Sequence, residues 1–388
     1  LMNPSITGEG WEPYCISLRC VNWIKWFSRL DEAKINPLWV KSLACQIDVL
    51  DQRIEYHILG NHVFANAKAL IFAGVYFGGK RGDRWLTKGL RLLKREVSEQ
   101  FLNDGAHYEL SPMYHAILLW DIVDLIFLFQ LSQLPMLKDL SDHLQQQFSK
   151  SFDWLKDMVH PDNDIAFFND ATLKVAPRID DLFTYAKSIG IELHGHKKIG
   201  HIEGKLNASS GYAIVEWPEA HKLIADVAQI GPDYQPGHGH ADTLSCELSL
   251  FGQRVLVNSG ISTYEKNDRR LNERSTASHN TVELNGKNSS DVWASFRVAR
   301  RAKPFGVALS NKADHIEICG SHDGYHSRLN RNTHKRTWLA GTDHLIVRDN
   351  LTGDINHVRA YWHFHPAVII KQQSDTLFHL KLSHGQVI

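Results

Sequence analysis

The 388 residues carry 43 Lys plus Arg against 43 Asp plus Glu, so there is no basic surplus of the kind that drives general nucleic-acid binding. An anionic ligand has to be met by a local patch, and the length suffices for two domains. Five cysteines, an odd number without a CxxC pair, argue against a disulfide framework or a thiolate zinc site and read as mostly buried thiols.

From Trp11 to about residue 190, apolar residues recur at helical spacing, as in Trp23, Trp26, Phe27 and Leu30, or Leu86, Leu90 and Leu93. Gly60-Asn61 precedes an apolar-periodic run over 63–77, where Asn61 reads as an N-cap. Ser111-Pro112 precedes a second run over 113–131, which places Tyr114 in a first helical turn. There the helix dipole is expected to favour its phenolate. The apolar stretch 117–131 is interrupted by Asp121 and Asp124 and is expected to fall short of a membrane span. The span 191–207 is loop-rich. Beyond it the pattern turns to alternation and β-branched runs, with strands expected over 243–250, 254–257, 281–284, 315–319, 344–348, 357–363 and 377–382. The expected organisation is a helical domain over 1–195 and an antiparallel β-sandwich over 196–388.

Four segments carry polar groups suited to chemistry. In Pro236-Gly-His-Gly-His-Ala-Asp242, entry into a strand would project His238, His240 and Asp242 to one side. His279 in Ser275-Thr-Ala-Ser-His-Asn-Thr-Val282 could point back toward His240, although two imidazoles alone are weak grounds for zinc. Asn61-His62 at a helix start can hold a carboxylate. Tyr114 and His115 end the segment 104–115, in which a tuned tyrosine can move protons. Arg269, Arg270 and Arg274 lie in a polar loop and could meet carboxylate or sulfate, though loop arginines are more often solvated. Trp293, Tyr325, Trp362, His363 and His365 could line subsites or simply pack.

Gly60-Asn-His-Val-Phe-Ala-Asn-Ala-Lys-Ala-Leu70, the segment 104–115, Phe168-Asn-Asp170, Gly237-His-Gly-His-Ala-Asp242, Val257-Asn-Ser-Gly260 and Ser278-His-Asn-Thr-Val282, in that order, resemble the heparinase II/III-like polysaccharide lyases. The resemblance covers Trp11 to about Pro366. It implies an α+β multidomain fold, an incomplete (α/α) toroid followed by an antiparallel β-sandwich, with the active cleft between them and both ends of the chain incomplete. It also implies β-elimination at a uronic acid of an anionic polysaccharide, in a periplasmic or secreted protein, although no signal peptide is visible. By motif, Asn61 and His62 would neutralise the sugar carboxylate, while Tyr114 and His238 would share the base and acid roles. His115, Arg270 and Arg274 are expected to contact substrate. No cofactor is needed for elimination, but the family implies a structural zinc, and the matching positions are His240, Asn258 and His279. Asn258 stands where the family has aspartate, so the three are expected either to hold zinc weakly or to hydrogen-bond without it. Neither nucleic acid nor a membrane span is expected among the partners. One rival is a glycoside hydrolase using Glu109 and Asp170; another is a non-catalytic polysaccharide-binding or assembly protein. A metal-dependent hydrolase is a third, weakened by Asn258.

Overall fold

The computed structural model describes residues 7–195, 199–327 and 330–388. The helices are α1 (Pro13–Phe27), α2 (Pro37–Gln52), α3 (Gly60–Phe77), α4 (Gly79–Gln100), α5 (Pro112–Ser132), α6 (Lys138–Asp157), α7 (Ile179–Ser188) and α8 (Asp268–Glu273). The strands are β1 (Glu203–Asn207), β2 (Tyr212–Trp217), β3 (His221–Asp226), β4 (Cys246–Leu250), β5 (Gln253–Leu256), β6 (Val282–Leu284), β7 (Val292–Trp293) and β8 (Arg297–Val298). They continue as β9 (Pro304–Asn311), β10 (His315–His326), β11 (Arg331–Gly341), β12 (Leu345–Thr352), β13 (Val358–Ala360), β14 (Ile369–Gln372) and β15 (Phe378–Lys381). This is the expected class, a helical toroid-type first half followed by an antiparallel sandwich. The chain divides into two compact units that interleave along the sequence.

The first unit holds residues up to Phe101, with 117–149 and 189–191. Its α3 is apolar on nearly every face and, apart from His62, buried from Gly60 to Gly74. By contrast α4 buries one stripe, Trp85, Leu86, Gly89, Leu90, Leu93 and Val97, at the three-to-four spacing of an amphipathic helix. Gly89 allows these antiparallel neighbours to meet closely, since a Cβ there would lie 2.8 Å from Ile71 Cγ1 and 3.0 Å from Ala67 O. The helix α5 proves long and apolar enough to cross a membrane, contrary to expectation, but 61% of that window is buried inside the protein. Its Asp121 and Asp124 lie inside as well. The buried Lys68 ammonium reaches Asp121 at 2.6 Å and Asp124 at 2.5 Å, and Lys25 meets Asp124 at 2.6 Å.

The second unit comprises residues 102–116, 150–188 and 192 onward. Strands β1 to β5 form one antiparallel sheet in sequence order, and β12-β11-β10-β9 form another. Between them lies a core in which Ala213, Val215, Trp217, Leu223, Ala225 and Leu248 of the first sheet meet Ile316, Ile318, Trp338 and Ala340 of the second. Because successive strand residues point to opposite faces, Tyr212, Ile214 and Ile224 project the other way. They pack on Ala106, Leu110, Trp154, Met158, Ala166 and Phe168. The five-stranded sheet is therefore buried on both faces, and its back carries the segments that supply Tyr114 and Asp170. The cysteines depart from expectation, since only Cys20 and Cys246 of the five are buried.

Candidate functional site

In the first unit, α3 begins at Gly60 after Leu59, whose φ is 65° and whose side chain makes no cap. Asn61 is therefore inside the first turn and not the N-cap read from sequence. It is buried and hydrogen-bonds Tyr14, whose hydroxyl is pushed up to about 12 by burial and then by the charge of Asp121. His62 Nδ1 lies 3.0 Å from Glu55 Oε1, and its ring is 4.5 Å from that of Tyr14. The Asn66 amide donates to Glu55 Oε2 and accepts from Glu55 N, both at 3.0 Å, which fixes the carboxylate. Glu55 thus claims the Nδ1 proton of His62 and leaves Nε2 for an outside partner, on a side chain still 29% exposed.

In the second unit, Ser111 caps α5 as expected: its Oγ accepts from Tyr114 N at 3.3 Å and donates to Asp170 O at 2.6 Å. Asp170, fully buried, is the hub. One oxygen faces His238 Nδ1 at 2.7 Å, the other faces His240 Nε2 at 2.9 Å, and the Arg270 guanidinium binds both, with Nη2 at 2.7 Å. Burial alone would raise its pKa, but the bonds from His238 and His240, with Arg270, hold the carboxyl far below the usual range. An ionised Asp170 only accepts, so His238 carries its proton on Nδ1 and, when neutral, offers Nε2 as a base.

The Gly237–Asp242 segment is irregular and does not enter a strand, so its histidines are aimed by Asp170 and not by strand alternation. Gly239 matters for closeness, as a Cβ there would fall 2.4 Å from Ile230 Cγ2. The His238 ring lies 4.1 Å from that of Tyr114, and its Nε2 is 3.9 Å from the buried carboxylate of Glu109. Burial pulls His238 toward the neutral form, yet Glu109 and Asp170 outweigh it and raise its pKa. Tyr114, partly buried, has its hydroxyl 2.8 Å from that of Tyr264. The expected phenolate is not favoured here. Burial, then Tyr264, Asp170 and Glu109, push the Tyr114 pKa up and overwhelm the helix dipole.

The three residues expected to touch substrate are buried, with their polar atoms engaged by the protein. His115 accepts from His107 N at 3.1 Å on Nδ1 and faces Ser151 O at 2.9 Å on Nε2, and burial lowers its pKa to about 4. Arg270 is spent on Asp170 and on Ser295 O at 2.9 Å, and Arg274 on Gly239 O at 2.9 Å and Ser295 O at 3.0 Å. Tyr325 is likewise a core residue, donating to Val282 O at 2.5 Å. Sequence reasoning missed Tyr264 and the positioning roles of Glu55 and Asp170. Asp170 was noticed as part of the family segment Phe168-Asn-Asp170 and as a carboxylate a hydrolase could use, with no positioning role.

His240, His279 and Asp242, all buried, bring one ligand atom each within 4.8 Å of one another. His240 Nδ1 and His279 Nε2 are 3.1 Å apart. The other nitrogens are committed as donors, His240 Nε2 to ionised Asp170 and His279 Nδ1 to Ser275 O at 2.7 Å. Two lone pairs therefore face each other when both rings are neutral, beside Asp242 Oδ2, which has no hydrogen-bond partner among the described residues. Such a pocket fits a divalent cation of the zinc class, with outer partners orienting each ring. Asn258, expected as the third ligand, accepts from Asn280 N at 3.4 Å through Oδ1.

Comparison with known proteins places this geometry in context. A family model for the heparinase II/III N-terminus matches residues 8–188, and one described as heparinase II/III-like, C-terminal, matches 203–388. A heparin-sulfate lyase of Bacteroides stercoris is 26% identical over 258 residues, 60% of this chain and 37% of that protein. One of Bacteroides thetaiotaomicron is 23% identical over 269 residues, 60% of this chain and 38% of the other. This chain thus spans well under half the length of those relatives in the matched region. A crystal structure of heparinase III aligns with a TM-score of 0.77 at 18% identity, covering 98% of this chain and 63% of that one. Heparan sulfate lyase HepC from Pedobacter heparinus aligns at 0.66 and 17% identity, covering 99% and 62%. At such identity the structural likeness speaks for the fold alone.

Proposed function

Since the chain belongs to the heparinase II/III-like family, we propose that it is a polysaccharide lyase, cleaving a uronic-acid-containing anionic polysaccharide by β-elimination. The observation that carries this reading is the Tyr114–His238 pair, two proton-transfer groups in ring contact at 4.1 Å, with the imidazole tautomer set by Asp170. Elimination needs a neutralised carboxylate, a base for the C5 proton and an acid for the departing O4 oxygen. By the family motif, Asn61 takes the first role through its amide donor, and His62 adds to it when its ring carries protons on both nitrogens, since the Nδ1 proton is held by Glu55. Tyr114, its pKa raised, keeps its proton at neutral pH and supplies the acid, while His238 supplies the base through Nε2 once the pH exceeds its raised pKa.

The donor set His240, His279 and Asp242 would hold a zinc-class cation, which when bound would crosslink two loops and take no part in proton transfer. Hydrolysis is the weaker reading, because Asp170, one of the two carboxylates it would need, is buried, ionised and saturated by Arg270 and two histidines.

The test is an ultraviolet assay for unsaturated product across alginate, heparan sulfate, chondroitin, hyaluronan and bacterial exopolysaccharides. Product absorbance on at least one polymer is expected. Tyr114→Phe and His238→Ala should each lower the rate by about 10² to 10⁴ while the far-ultraviolet spectrum stays unchanged. A saturated reducing end without absorbance would point to hydrolysis instead.

A further inference from the structure

We propose that the β7–β8 hairpin is a subsite for an acidic pyranose, in which Phe296 is the stacking surface and Arg297 the anion contact; this rests on the lyase reading. Phe296 is 45% exposed although it stands beside the proton-transfer pair. Its ring is stacked on Tyr264 at 5.5 Å and 20°, and meets His238 edge-on at 6.0 Å. Parallel aromatic rings of this kind offer an apolar wall to the C–H face of a sugar.

The hairpin is built to hold that wall still. Its three-residue turn, Ala294 to Phe296, is gripped by two fully buried arginines: Arg270 donates to Ser295 O at 2.9 Å, and Arg274 to Ser295 O at 3.0 Å and Ala294 O at 3.4 Å. The same Arg274 also donates to Gly239 O at 2.9 Å, and the same Arg270 binds Asp170. The residues that orient His238 are thereby the residues that fix the hairpin.

Arg297 supplies the charge. It is exposed and pairs across the hairpin with Trp293, itself 55% exposed. Neighbouring arginines are already neutralised, Arg300 by Asp291 at 2.9 Å, Arg301 by Asp233 at 3.1 Å and Arg269 by Glu273 at 3.3 Å. No ion pair joins Arg297 to a carboxylate among the described residues. The ligand chemistry is therefore an anionic substituent on a pyranose, whether a ring carboxylate or an O-sulfate.

The experiment measures KM and kcat by ultraviolet assay on a sulfated uronate polymer and on its chemically desulfated form. For Phe296→Ala, KM should rise about tenfold on both polymers with kcat within about threefold, and Phe296→Tyr should restore it. Arg297→Gln should raise KM on the sulfated polymer alone if sulfate is the contact, and on both if it is the carboxylate. An unchanged KM for Phe296→Ala, a tyrosine variant as poor as alanine, or an Arg297→Gln protein indifferent on both polymers would overturn the subsite. If the wild-type protein yields no unsaturated product from any polymer, the lyase reading fails on its own. Calorimetric titration of wild type and Phe296→Ala with a saturated uronate oligosaccharide still decides the subsite, since equal affinity refutes it.

Discussion

Replacing Asp170 by asparagine would keep the shape of the side chain and remove its charge. His238 would then lose the acceptor that fixes its tautomer, and buried Arg270 would be left without its counter-ion. We expect a rate loss of about 10² to 10⁴ and a stability loss of about 3–5 kcal/mol, read from initial rates and urea unfolding. A variant as stable and active as wild type would remove Asp170 from its role. The acid limb of kcat/KM should likewise turn above 6.5, the usual histidine value, because Glu109 and Asp170 raise the His238 pKa; a limb centred below 6.5 would contradict that. At this scale the sequence was readable where a motif picks out side chains that the fold brings into ring contact, as for Tyr114 and His238. It was silent on what holds those atoms. Asp170, His238 and Arg270 lie 68 and 100 residues apart along the chain, and only the folded backbone brings them together. Arg270 and Arg274 read as loop cations that reach substrate or stay solvated, because a cluster of backbone carbonyls leaves no mark in composition.

Among the elements, α3 and α4 depend on contact at Gly89. A leucine there would drive its side chain into Ile71 and the backbone at Ala67, and overpacking of this kind costs about 1–3 kcal/mol. Thermal unfolding of Gly89→Leu should show that loss, whereas an exposed position on the same helix, such as Lys94, should tolerate leucine. The strands most easily missed in the sequence were β1 to β3. Tyr212 to Val215 are all buried, so the run lacks the apolar-polar alternation that marks a half-exposed strand. The opposite error occurred at Gly237–Asp242, where a period of two in the sequence belongs to no strand.

For the molecule as a whole, the histidines set a pH dependence of stability. Burial lowers the pKa of His107, His115, His160, His279, His322 and His334 below 6.5, whereas His238 alone of this group is raised. Below 6.5 the unfolded chain takes up protons at the lowered sites that the folded chain refuses, so stability is full above 6.5 and declines as pH falls toward the folded values, about 4 for His115. The raised His238 works the other way, adding stability below 6.5 that fades as pH climbs past its folded value, and offsets one of the six. Each lowered site costs up to about 1.4 kcal/mol per pH unit over its own window. Tm should therefore drop steadily between pH 6.5 and 4.5 in calorimetric scans, and a flat Tm over that interval would refute the neutral burial of these rings.

The sheet of β1 to β5, covered on both sides, also limits how this chain can be recombined. A chimera joined near residue 195, where the composition changes, would strip Tyr212, Ile214 and Ile224 of their own partners and set a foreign back against them, together with a foreign tyrosine and aspartate. Exchange between relatives should succeed better when 102–116 and 150–188 travel with the strands, so that two of the crossovers fall inside α5 and α6. What is inherited as a block is then the sheet with the two segments on its back, a heritable unit with two of its ends inside helices.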